Sequence, residues 1–113
     1  MTLMFNAFEP ASEILPETYI VRVELIDAGE AQYAFLHSAM ASAGFRRTIV
    51  SDEGDVFRLP SAEYVGRTRL SCLDLLDAVQ AIAEFFRPNS HVLITRASEI
   101  AWSLPQIAQR HVA

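Results

Sequence analysis

The chain has 113 residues, of which 51% are hydrophobic and 20% charged, with a formal net charge of −5. This balance excludes a disordered chain and argues against broad electrostatic attraction to DNA or to a membrane surface. No apolar run approaches the roughly 20 residues of a membrane-spanning helix, and the single cysteine, Cys72, excludes an internal disulfide. Length suits one domain able to bury about 65% of its unfolded surface in a single core. The N-terminus lacks a basic region ahead of an apolar stretch, so no signal peptide is expected and the reading is a cytoplasmic protein. All nine basic residues are arginine, and sixteen alanines accompany them. A GC-rich coding bias explains both counts. The functional alternative, for the arginines alone, is use of a side chain that grips phosphate bidentately and stacks on bases, which lysine does poorly.

Residues 1–17 hold two prolines and show no clean period, yet Leu3, Met4, Phe5 and Phe8 are too apolar for a solvated tail. This arm either packs over the domain or wraps a second subunit. The domain proper covers residues 18–98. Its first strand sets Tyr19, Val21, Val23 and Leu25 on one side at period two and Ile20, Arg22 and Glu24 on the other. Asp27, three residues before Glu30, reads as the cap of a helix over 28–43. That helix carries Tyr33, Leu36, His37 and Met40 on one stripe, and Gly44 stops it. Residues 45–50 read as a strand, 51–54 as a turn, 56–59 as a short strand ending at Pro60, and 62–70 as a further strand. Gly66 marks a bulge or a close approach in that last one. Ser71 caps a second helix whose apolar stripe runs from Cys72 to Phe86, and Pro88 ends it. Residues 91–97 form the last strand, and 99–113 are a tail with the single tryptophan, interrupted by Pro105.

The order β-α-β-β-α-β, with a small hairpin inserted, predicts an α+β ferredoxin-like sandwich: a four-stranded antiparallel sheet with two helices on one face. Its second face is then open to water, a subunit or a ligand.

The sequence holds no C-x-x-C, H-E-x-x-H, dinucleotide or P-loop pattern. The histidines are scattered, so no zinc site is expected. His37, on the apolar stripe, reads as a core or interface histidine, and Cys72, though favoured as a thiolate by the helix dipole, as a core residue. The arginines carry more. Arg22 falls on the open face, and Arg67 and Arg69 share one side of their strand with Glu63. With Arg46, Arg47 and Arg96 these form a candidate phosphate-binding surface for RNA. The other reading is cross-strand ion pairing with Glu24 and Glu63 on a solvated or dimeric face. Glu24 and Asp27, at the end of the first strand, are the candidate catalytic carboxylates, as a general base or as holders of Mg²⁺. An ion pair for Glu24 and a helix cap for Asp27 are their structural alternatives. No other cofactor is called for.

YIVRVEL at 19–25, A-G-F at 43–45, I-V-S-D-E-G at 49–54, R-L-P at 58–60 and A-E-Y at 62–64 together resemble the GhoS family, over roughly residues 18–98. These are small antitoxins of type V toxin–antitoxin systems. The resemblance implies a ferredoxin-like fold similar to the small CRISPR-associated spacer-acquisition nucleases, and an endoribonuclease that cleaves the toxin's messenger. In those nucleases an acidic residue near the end of strand one is the catalytic suspect; Glu24 and Asp27 match, with Glu where Asp is the expected residue. The expectation is therefore a bacterial or prophage-borne homodimer acting on RNA. The alternative is a catalytically inert module, such as an immunity or phage-defence inhibitor protein, that binds another protein.

Overall fold

The first strand decides the architecture. In the structure, a computed structural model that describes residues 15–109, β1 (Glu17–Glu24) buries Tyr19, Val21 and Val23 and exposes Arg22 and Glu24. A strand with one apolar face must lay it against a core and turn the other outward. α1 (Glu30–Ser42), β2 (Thr48–Val50), β3 (Val56–Arg58), β4 (Glu63–Thr68), α2 (Cys72–Phe86), β5 (His91–Arg96) and β6 (Gln106–Ala108) follow. β1 is central in a three-stranded antiparallel sheet ordered β4-β1-β5, with Val21 opposite both Tyr64 and Ile94. Both helices pack on its buried face. Leu36 and Met40 of α1 and Leu75, Val79 and Ala83 of α2 close over Tyr19, Val21, Val23 and Tyr64. At about 1.5–3 kcal/mol for each large apolar side chain taken from water, this layer supplies the main stabilisation.

The fold is thus mixed α+β, but the continuous four-stranded sheet expected from the sequence does not form. Arg46 and Val65 exchange both backbone hydrogen bonds, at 2.9 and 2.8 Å, in one isolated antiparallel bridge. The chain then leaves β4. Arg47 O accepts from Leu59 N at 2.9 Å, and β2 pairs with β3 across the 51–54 turn. Once the hairpin has satisfied these backbone groups, nothing remains to extend the ladder along β4. The result is a second three-stranded sheet, ordered β2-β3-β6. Its third strand comes from the segment read as a tail: Pro105 ends the irregular run, its carbonyl accepts from Arg58 N at 3.0 Å, and residues 106–108 pair with β3. Phe57 and Trp102 meet edge to face at 5.6 Å beside this sheet. The apolar arm lies, over residues 1–14, outside the described residues.

The helix ends follow their sequence signals with one correction. Ser71 Oγ accepts from Asp74 N at 3.1 Å, as expected of an N-cap, and α2 stops two residues before Pro88. Asp27, however, does not cap α1. Gly29 takes that position, its N–H donating to Gln32 Oε1 at 3.0 Å, while Asp27 holds a left-handed φ of +52° in the preceding turn. Aspartate tolerates that conformation better than most residues, which is its local role here. Gly66 is a close approach: a Cβ there would stand 2.6 Å from Gly44 O and 2.7 Å from Cδ1 of Phe45.

Candidate functional site

Alternation along β1 sends Arg22 and Glu24 to the face away from the helices, and the register decides what meets them. Arg22 lies opposite Glu63 on β4, and Glu24 opposite His91 on β5. Arg22 Nη1 is 3.5 Å from Glu63 Oε2. His91 Nδ1 is 3.0 Å from Glu24 Oε1. An ionised carboxylate only accepts, so His91 donates from Nδ1, and this fixes Nε2 as the ring nitrogen left for anything on the sheet. All but Glu63 of these four side chains are more than half exposed. Such pairs contribute about 0–1 kcal/mol each to stability and chiefly set side-chain direction. Of the structural alternatives from the sequence, the cross-strand arginine–glutamate pair is present at Arg22–Glu63, while Glu24 has His91 and not an arginine as its partner.

Arg67 projects from β4 on the same face and donates from Nη2 to Pro16 O at 3.3 Å. Beyond it the face deepens into a cleft of about 540 Å³ where the two sheets meet, bordered by Arg46, Arg67, Asp52 and the ring of Trp102. Trp102 was not legible as a site residue, because it lies in the segment read as a tail. His91 was within reach of the sequence, since counting back along two antiparallel strands sets it beside Glu24.

The remaining arginines do not join this face. Arg96 stands opposite Tyr19, on the helix side of the sheet, and lines a separate cleft with Arg69, Ser71 and Asp74 at the start of α2. Arg69 follows the end of β4 and so is not carried by the ladder. Arg47 lines a third cleft with Tyr33 and His37. There His37 Nδ1 and the buried Tyr64 hydroxyl are 2.7 Å apart. Burial, and then the Arg47 charge, lower the pKa of His37. Burial pushes the Tyr64 hydroxyl up to about 12, against the opposing pull of Arg47.

Among the described residues no three His, Cys, Asp or Glu side chains are grouped so as to hold an ion, and the Glu24 carboxylate is already engaged by His91. No helix among the described residues is long and apolar enough to cross a membrane. Compared with known proteins, the chain matches no family model and no curated protein.

Proposed function

We propose that the open face of the central sheet binds RNA, and that the protein acts there as a GhoS-like antitoxin with endoribonuclease activity. One observation supports this best: Arg22, Arg67 and Arg46 come from separate strands or strand edges to the same side, Arg46 and Arg67 beside a cleft walled by an indole ring and Arg22 farther along the same face. Guanidinium groups that track phosphates beside an aromatic ring that stacks a base are the elements of single-strand recognition. The ferredoxin-like reading belongs with this proposal. With Arg46 counted as a fourth strand reduced to one bridge, the order β5-β1-β4-Arg46 is that of a split βαβ fold.

Cleavage in this reading needs no metal. His91, oriented by Glu24, takes the proton of a ribose 2′-hydroxyl on Nε2. The 2′-oxygen attacks the adjacent phosphorus while Arg22, two residues before Glu24 on the same face of β1, offsets charge on the phosphoryl oxygens, and the 5′-oxygen leaves with a proton from water. The products are a 2′,3′-cyclic phosphate and a 5′-hydroxyl end. A labelled, mixed-sequence RNA incubated with the purified protein, with Mg²⁺ and with EDTA, tests this. Cutting is expected in both, reduced at least 100-fold in both Glu24→Gln and His91→Ala. Cutting that requires Mg²⁺, or that survives both substitutions, contradicts the mechanism.

The alternative, an inert protein-binding module, has its own supporting observation. On the outer side of the helices Phe35 and Phe85 are 63% and 82% exposed, clustered around Phe86 at 6.4 and 5.2 Å between ring centroids. Contiguous exposed aromatics of this kind mark a surface that a partner covers. A folded protein that neither binds nor cuts RNA favours this reading.

A further inference from the structure

The cleft between the start of α1 and the strand-entry segment at Arg47 has no part in the RNA reading. Its volume is about 620 Å³, and Tyr33, His37, Arg47 and Ser61 line it, with Glu30 the acidic side chain among its walls. The size is that of a small-molecule site. Arg47 is half-buried and makes no ion pair or side-chain hydrogen bond among the described residues. A guanidinium withdrawn from water without a carboxylate calls for an anion. His37 stands beside it. Its Nδ1 is taken by the Tyr64 hydroxyl at 2.7 Å, so Nε2 is the ring nitrogen left to face a ligand. With the Tyr64 hydroxyl donating to Nδ1, the tautomer that the site requires, neutral His37 carries its proton on Nε2 and is itself a donor there. Tyr33 adds a ring wall, 6.2 Å from His37 between centroids and fixed by the Leu25 N–H donating to its hydroxyl at 2.9 Å.

We propose that this cleft binds a phosphate monoester of mononucleotide size, its phosphate on Arg47, His37 Nε2 and the Ser61 hydroxyl and its ring system against Tyr33. Three donors from three segments suit a tetrahedral oxyanion, and a planar carboxylate would leave one of them unused. The phosphate can belong to a free nucleotide or to the 5′ end of an oligonucleotide, which present the same group. The site stands on residues of α1, the turn before β4 and the Arg47 segment and does not depend on the sheet face binding RNA.

The test is titration of the full chain, followed by backbone and imidazole NMR, with inorganic phosphate, adenosine 5′-monophosphate, adenosine, and a short RNA carrying either a 5′-phosphate or a 5′-hydroxyl. Saturable shifts at Tyr33, His37 and Arg47 with the monophosphate, and none with adenosine, are expected. A preference for 5′-phosphorylated RNA over the free nucleotide identifies an end-binding site, and the reverse a metabolite site. Arg47→Gln weakens binding at least 10-fold, and Glu30→Gln, which removes the opposing charge, tightens it. In the unmodified protein the bound dianion raises the His37 pKa against the lowering by Arg47, the carboxylate of Glu30 acting in the dianion's sense and Tyr33 and Tyr64 neutral. That readout stays available should Arg47→Gln fail to fold. No saturable shift with any phosphorylated probe, or shifts unchanged by Arg47→Gln, overturns the proposal.

Discussion

His37 is on the apolar stripe of α1, where the sequence places a core histidine, and the structure shows why that position also makes it sensitive to pH. Its folded pKa lies below the ordinary value of 6.5, through burial first and Arg47 second. The unfolded chain therefore takes up the proton more readily. Stability from neutral His37 is fully present above about pH 6.5 and is lost as pH falls through the folded pKa. Tyr64 works in the opposite sense. Its pKa is raised to about 12 from 10.0, so its contribution is complete below pH 10 and is lost as pH climbs towards 12. Urea unfolding across pH 5–11 is expected to give a plateau with a decline on each side, and His37→Gln flattens the acidic decline. An acidic decline unchanged in that variant would assign it to the carboxylates instead. The same residue scale separates the two catalytic candidates. Glu24 has a partner that can do acid–base chemistry, whereas Asp27 is a left-handed turn residue beyond the end of β1.

At the scale of elements, the patterns that rest on burial carried through, apart from Cys72, read as a core residue but exposed in the first turn of α2, and those that rest on pairing did not. Period two along β1, the stripe of α2 and the Ser71 cap are each imposed by local chemistry, so they could be read from the residues alone. The fourth strand is different. Phe45 to Val50 has the composition of one continuous strand, but after Arg46 its backbone groups pair with β3, and that choice depends on a distant segment around Pro105 completing the small sheet. No local signal announces it. Gly66 is where these elements crowd together: β4 passes so close to the end of α1 that a methyl group would strike Gly44 O, a backbone atom that cannot rotate away. Gly66→Ala is expected to destabilise the protein by about 2–3 kcal/mol, within the range for a forced steric clash. Chemical denaturation measures it, and a loss under about 0.5 kcal/mol would show that β4 and the α1 terminus separate freely.

At the scale of the whole molecule, the proposed RNA binding sets an acidic chain against an acidic polymer. The formal charge is −5, yet the arginines are distributed by side: Arg22, Arg67 and Arg46 stand towards the open face and cleft, while Arg47, Arg69 and Arg96 line clefts elsewhere. That separation was only half legible in the sequence. Strand parity assigned Arg22 and Arg67 correctly, but it could not show where Arg69 goes once the ladder ends, or that the chain turns between Arg46 and Arg47. Binding through a local patch on a repelling body is expected to be moderate in strength and strongly dependent on salt.

The salt dependence of affinity for a labelled single-stranded RNA, in the unmodified protein and in Arg22→Ala/Arg67→Ala, tests the sheet face most directly. Three arginine–phosphate contacts predict a slope of log K against log salt of about −2, falling to about −0.7 in the double variant, with affinity down at least 10-fold. Stability should change by less than about 1 kcal/mol, since both side chains are exposed. Equal affinity and an equal slope in the two proteins would mean that RNA, if held at all, is not held by this face.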